Sequence, residues 1–193
     1  VIGFEVTLNE WSMYMNLAYR FLETFSTPGS HSYHPFIDSF SHHATTGDQQ
    51  RAVTFPDTHV DSSSVVMVEG DFSTIFASSK NHFDFVVTHF FIDTARNLMN
   101  YLETIRDVLK SGGYWINSGP LLYGTGPWVQ LSLEEIIAVA KDMGFEFMDM
   151  DAGCGELTFP DEKVRWMAGI YGSNERALHM NGYRVQSWVA RKL

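Results

Sequence analysis

The chain has 193 residues, 45 % of them hydrophobic and 15 % aromatic, which suits a globular fold with a sizeable core and excludes a disordered segment. Its 13 Lys and Arg against 23 Asp and Glu leave a net charge of −10, which argues against wholesale binding to nucleic acid or to an anionic membrane surface. No apolar run approaches the roughly 18 residues that cross a bilayer, and the single cysteine, Cys154, rules out an internal disulfide and fits a reducing compartment, the cytoplasm with the nucleus as a second location.

Gly3 to Leu8 reads as a strand that ends at Asn9 and Glu10. Trp11, Tyr14, Met15, Ala18, Phe21, Leu22 and Phe25 then step along one face of a helix, which Ser26 to Gly29 closes. An acid between a strand and a helix is a place where a ribose is held through its hydroxyls; the same acid also favours a helix N-terminus with no ligand present. Residues 31–61 predict a long irregular stretch. It carries His31, His34, His42 and His43 without the Cys or His spacing of a zinc site, so no metal is expected. A loop of that length suggests a lid or a substrate wall. Val65 to Phe72 is a strand running into Gly70-Asp71-Phe72, with a short helix over 73–79. A Gly-Asp pair at a strand end lets a base edge approach; a plain turn with a helix cap leaves the same trace.

Asp84 to Phe91 is a run of branched and aromatic residues, as in a strand buried on both faces. Ala95, Leu98, Met99, Leu102, Ile105 and Leu109 recur at helical spacing, Ser111-Gly112-Gly113 supplies a stop, and Tyr114 to Asn117 is the next strand. Strand, helix and strand make a parallel crossover, whose ligands sit beyond the carboxyl ends of the strands. Those ends carry His89 to Asp93 and Asn117 to Pro120. A loop over 120–130 follows, then the capping box Ser132 to Glu135, which opens a helix ended by Gly144. Phe145 to Met150 alternates like a strand, 153–182 gives no clear local signal, and Arg184 to Arg191 alternates as the last strand. Parallel units first and an antiparallel closing pair last predict an α/β fold, the Rossmann-like sheet of class I S-adenosylmethionine-dependent methyltransferases. A dinucleotide oxidoreductase would need a glycine-rich turn after its first strand, and none occurs.

Five stretches carry a resemblance to a known family: Asn9 to Ser12, Phe55-Pro56-Asp57, Gly70-Asp71-Phe72, Phe90 to Ala95 (FFIDTA) and Trp115 to Tyr123 (WINSGPLLY). Their order and spacing resemble the carnosine N-methyltransferase family over essentially the whole chain. The resemblance implies methyl transfer from S-adenosylmethionine to an imidazole nitrogen of carnosine, giving anserine. It implies that Glu10 binds the ribose of the cofactor, that Asp71 and Phe72 hold the adenine region, and that His89 touches cofactor, where the family commonly has a smaller residue. Asp93 matches the acid that engages the substrate imidazole, and it could otherwise simply cap the helix after Thr94. Tyr171 and Tyr183, 12 residues apart, match two tyrosines of the substrate pocket.

Two positions depart from the family pattern. The family has a substrate-pocket histidine just after GPLLY, and Gly124 stands there. The family also has a first strand and glycine-rich cofactor loop roughly twenty residues before the acid matching Glu10, and only 9 residues precede Glu10 in a chain that opens on Val1 rather than Met. The expectation is therefore a partial methyltransferase domain over 1–193, lacking the strand that lies between the Phe4–Asn9 strand and the Phe83–Phe91 strand. Each unpaired ladder bond in a core costs about 1–3 kcal/mol, so the chain is not expected to fold alone. A second polypeptide fills the slot, or the gene product is longer, or the fold has reorganised. The alternative to an enzyme is a non-catalytic methyltransferase-fold subunit that serves as a scaffold in a larger complex.

Overall fold

A computed structural model describes residues 3–59, 62–124, 126–172 and 174–193. The chain divides into two compact units, one of 1–72 with 172–181, the other of 73–171 with 182–193. No helix among the described residues is long and apolar enough to cross a membrane.

In the first unit β1 (Val6–Glu10) leads into α1 (Met13–Thr24). The short strands β2 (His31–Tyr33) and β3 (Val53–Phe55) form an antiparallel pair with α2 (Thr46–Gln50) between them. β4 (Val65–Glu69) then returns parallel to β1, with Val6 opposite Val65 and Glu10 opposite Glu69. The stretch expected to be irregular over 31–61 is thus partly built, its last two residues lying outside those described. Its order comes from aromatic contacts that no local pattern announces. The His31 ring packs 4.9 Å from Phe21 and 5.6 Å from Phe55. The Thr45 hydroxyl caps α2 by accepting the Asp48 N–H at 3.0 Å. Residues 172–181 dock in the same unit, where Arg176 pairs with Asp48 at 3.1 Å and Arg51 donates to Asn174 Oδ1 at 2.8 Å.

The residues that step along one face of α1 are largely exposed at its start. Tyr14 and Met15 are 78 % and 57 % exposed, and the buried residue of this helix is Asn16. The helix spacing is right, but within this unit the Trp11–Leu17 end of the stripe has little to pack against.

The second unit takes up the chain at α3 (Phe72–Ile75), which spans the boundary. β5 (Phe83–His89), α4 (Leu98–Val108) and β6 (Leu109–Gly119) form the parallel crossover, with Val86 opposite Trp115 and His89 opposite Ser118. After α5 (Leu133–Asp142) come β7 (Phe145–Phe147), β8 (Glu156–Leu157), β9 (Arg165–Tyr171) and β10 (Asn181–Lys192). The sheet order is β5-β6-β10-β9-β8, and β7 also pairs with β10. β10 runs antiparallel to β6, with Trp188 opposite Asn117. The core sits where α4 and α5 cover this sheet: Leu98, Leu102, Ile105, Ile136 and Ala140 are fully buried with Trp115 and Trp188. Each such aliphatic side chain contributes about 1.5–3 kcal/mol relative to exposure.

Two expectations for this unit are corrected. Ser111-Gly112-Gly113 does not stop α4. Leu109 already has ψ 139°, so the helix ends at Val108 and the chain enters β6 directly. The glycines serve a bulge instead: Phe83 lies opposite Leu109 and Phe85 opposite Tyr114, so 110–113 crowd against Asp84. Gly112 has φ 80°, and a Cβ on Gly113 would fall 2.9 Å from Lys110 O. β5 is also not buried on both faces, because Phe85 and Val87 are 48 % and 68 % exposed. Among the described residues β1 pairs with β4 and β5 with β6, each in its own sheet, and no strand borders the other edge of either.

Candidate active site

The carboxyl end of β5 gathers most of the expected substrate-side residues. His89 is the last residue of the strand. Phe90 then turns into the left-handed region at φ 49°, unusual for a bulky residue and a mark of a constrained turn. Its N–H donates to Ser118 O at 2.9 Å. The turn is possible because Gly119 stands beside it, where a Cβ would come within 3.0 Å of Phe90 Cα and N. The Phe90 ring stacks on Tyr171 at 5.4 Å and meets Tyr183 at 6.2 Å, and the two tyrosines stand 6.0 Å apart nearly edge to face. The His89 ring lies 4.9 Å from that of Phe90, edge to face. Three rings in mutual contact make a flat-walled surface suited to a planar or cationic ring. Phe90 was not among the expected site residues. Its place in FFIDTA was visible, but a positive φ outside glycine has no sequence signature.

One 3-10 turn further, Ile92–Thr94, the chain buries Asp93 to 6 % exposure. Its Oδ2 accepts the Leu122 N–H at 2.8 Å. Burial pushes the carboxyl above its ordinary range, and the N–H groups of Leu122 and of Asp93 itself pull it partly back. The competing role as a helix cap is taken by another residue: the Asn97 side chain caps α4 by accepting the Met99 N–H at 3.1 Å. Asp93 is left as a buried carboxylate held from one side, which is what a directed acceptor needs. Gly124 follows in the same loop, with nothing within 4 Å of where a Cβ would stand.

Gly119 therefore carries a testable consequence. Gly119→Ala is expected to fold and to shift Phe90 by a few tenths of an ångström, changing its ring contacts with Tyr171 and Tyr183. Aromatic proton shifts with a thermal melt check it, and unchanged Tyr171 and Tyr183 shifts would show that Gly119 does not set the Phe90 turn.

Glu10, Asp71 and Phe72 lie in the first unit, at the adjoining carboxyl ends of β1 and β4. The Gly70 N–H donates to Glu10 O at 3.1 Å, and Asn9 Nδ2 donates to Val68 O and Gly70 O, both at 3.0 Å. These bonds bring the Glu10 and Gly70-Asp71 segments together. Gly70 has φ 147°, and Asp71 and Phe72 are half-buried. Glu10 Oε1 accepts the Ser12 N–H at 2.7 Å, so the carboxylate is oriented by the start of α1. Asn16 Nδ2 donates to Glu10 O at 3.2 Å while Asn16 Oδ1 is buried without a partner among the described residues. The Glu10 and Asp71 carboxylates at two adjoining strand tips are acceptors, the type of group that ribose hydroxyls and an adenine amine require. Among the described residues no group of three or more His, Cys, Asp or Glu could hold a metal.

Parallel strands joined through a helix, then closed by antiparallel β10 between β6 and β9, define the Rossmann-like sheet of the class I methyltransferases. The chain belongs to the carnosine N-methyltransferase family, whose model, described as carnosine N-methyltransferase, matches residues 1–193. The carnosine N-methyltransferase of Schizosaccharomyces pombe is 35 % identical over 193 residues, covering 89 % of this chain and 51 % of that protein. The carnosine N-methyltransferase of Mus musculus is 38 % identical over 156 residues, covering 76 % of this chain and 39 % of that protein. The chain thus spans about half or less of the length of the curated relatives it matches. Among solved structures, TehB from Haemophilus influenzae aligns with 100 % of this chain and 51 % of its own at TM-score 0.53 and 12 % identity, a likeness of fold alone.

Proposed function

We propose that this chain is part of an S-adenosylmethionine-dependent N-methyltransferase acting on an imidazole nitrogen of a histidine-containing small peptide such as carnosine, giving anserine. The buried Asp93 carboxylate, tied through Oδ2 to Leu122 at the tip of β5, carries the reading. The cofactor supplies an electrophilic methyl group on a sulfonium. Glu10 accepts from the ribose hydroxyls, and Asp71 and Phe72 border the adenine. His89, at the end of β5, flanks the cofactor. Phe90, Tyr171 and Tyr183 form the wall against which the imidazole plane rests.

Asp93 does the orienting. Its Oδ1 accepts the N–H of one ring nitrogen, which selects the tautomer whose other nitrogen carries a free lone pair. That lone pair would take up the sulfonium methyl that bound S-adenosylmethionine would supply, the carbon–sulfur electron pair remaining on sulfur. Positive charge develops on the ring, and the ionised carboxylate stabilises it. The proton held at Asp93 then leaves, and the methylated ring is neutral. Holding the three reacting atoms in line is the larger part of the rate gain in such a displacement.

Further polypeptide belongs to the reading. Exposed Val87 and the unbordered edge of β5 support a strand supplied by another stretch, from the same gene product or a second chain. The test is calorimetric titration of the intact protein with S-adenosylmethionine, followed by mass spectrometry of carnosine incubated with both. Binding and a singly methylated imidazole are expected, and Glu10→Gln is expected to weaken cofactor binding roughly tenfold, the loss of a charge-assisted hydrogen bond. An intact protein that binds no cofactor would end the reading and leave the scaffold role.

A further inference from the structure

We propose that Tyr123 is a positioning residue for the methyl-transfer site: its hydroxyl locks the loop between β6 and α5 so that the Leu122 N–H stays on Asp93. The inference rests on the role of Asp93 proposed above.

β6 ends at Gly119 and α5 begins at Leu133. The loop between them would wander if nothing tied it. Tyr123 Oη donates to Leu131 O at 2.6 Å and accepts the Leu131 N–H at 3.1 Å. One hydroxyl thus satisfies both backbone groups of a residue eight positions on and closes the loop on itself. The far end is fixed again by the Ser132–Glu135 capping box. The middle is fixed by the Trp128 and Val129 N–H groups, which both reach Arg96 O, at 2.6 and 3.2 Å. Leu122, adjacent to Tyr123 in sequence, then has little freedom. Its N–H reaches the Asp93 carboxylate at 2.8 Å as a consequence of the closed loop.

Tyr123 is not itself a proton carrier in this arrangement. Both hydrogen-bonding directions of its hydroxyl are used on Leu131. Burial first, and then the charges of Asp93 and Glu135, push its phenol above the ordinary tyrosine value, so it stays protonated. Among the described residues, the groups that shift Asp93 are its own N–H and the Leu122 N–H, while the charges of Asp93 and Glu135 act on the Tyr123 phenol. If the tie at Leu131 is loosened with the tyrosine ring still in place, Asp93 loses the Leu122 bond that holds its carboxyl down. Its carboxyl then rises further, and a smaller fraction is ionised to receive the imidazole N–H.

The experiment compares Tyr123→Phe and Asp93→Asn in the intact enzyme. Tyr123→Phe keeps the ring and removes the hydroxyl. It is expected to lower kcat roughly tenfold, leave the KM for S-adenosylmethionine unchanged, and move the acid limb of the pH–rate profile to higher pH. The Leu122 amide resonance is expected to follow Asp93 titration in the parent and to lose that response in the variant. Asp93→Asn is expected to remove the part of the limb that Asp93 contributes and to leave only that from protonation of the substrate imidazole. If Asp93→Asn retains full activity, the role of Asp93 fails. If Asp93→Asn is inactive while Tyr123→Phe keeps the parent limb and the amide response, the positioning role alone is overturned. A Tyr123→Phe protein that is merely less stable, with an unmoved limb, overturns it equally.

Discussion

Asp93→Asn is expected to slow methyl transfer by a factor of roughly 100 to 1000, the scale of removing one preorganised group that meets developing charge, while making the fold more stable at neutral pH. Both effects come from one feature. The carboxylate is buried and its folded pKa is raised, chiefly by desolvation. The folded state therefore holds the Asp93 proton more tightly than the unfolded chain does. The stability this provides is fully present below the ordinary carboxylate range and is lost as pH rises through the raised folded value. At neutral pH the ionised group costs stability that Asn does not cost. Asn still presents an oxygen to the Leu122 N–H. Denaturant unfolding of parent and variant over a pH series should show a gap that opens toward neutral pH and closes in acid. A gap of opposite sign would mean that Asp93 is held by a charge partner. Turnover at the parent rate would remove Asp93 from the chemistry.

Trp115→Ala should destabilise the second unit by about 3–5 kcal/mol, a large share of the roughly 5–15 kcal/mol that holds a domain together. Trp115 is fully buried opposite Val86 at the centre of the β5–β6 pair. Its ring lies 5.1 Å from Trp188, edge to face, and 5.7 Å from Phe145. Its Nε1 donates to Thr88 Oγ1 at 2.9 Å, and Thr88 Oγ1 donates onward to Asn117 Oδ1 at 2.8 Å. Removing the indole opens a cavity and leaves the Thr88 hydroxyl without its donor. Trp115→Phe keeps most of the volume and should cost only about 1–2 kcal/mol. The denaturant midpoints of the two variants measure the difference. Equal midpoints would show that the buried hydrogen bond, rather than the packing, dominates here. The same core holds the register of β5 on β6, so a loosened Trp115 site should also disturb the turn that carries Phe90 and Asp93.

Elements with a strong local cause were legible in the chain. The capping box at Ser132 needs only the hydroxyl of one residue and the carboxylate of Glu135, and both of its bonds form, at 3.3 and 2.7 Å. The spacing of Leu98, Leu102 and Ile105 needed only helical geometry to become the buried face of α4. The β5–α4–β6 crossover and the final strand β10 were foreseeable for the same reason. Ser111-Gly112-Gly113 shows the limit. Glycine announces an unusual backbone but not its purpose, and the space beside Asp84 O decided for a bulge. Residues 31–61 looked irregular because the contacts that order them, Phe21 with His31 and Phe55, link separate segments.

The site divides in the same way. The sequence by itself placed Glu10, Asp71 and Asp93 near strand ends, because alternation, helical period and turn residues act among near neighbours, whereas Tyr171 and Tyr183 were pointed to by the family resemblance alone. It also determined the family, through FFIDTA and WINSGPLLY. Only the tertiary structure decided that Phe90 turns left-handed against Gly119 and completes a ring cluster with Tyr171 and Tyr183. It alone decided that Asp93 takes a backbone bond from Leu122, 29 residues away, while Asn97 caps α4. Such pairings depend on which surfaces packing brings together and on what burial then does to a charge. Neither quantity exists until the chain has folded.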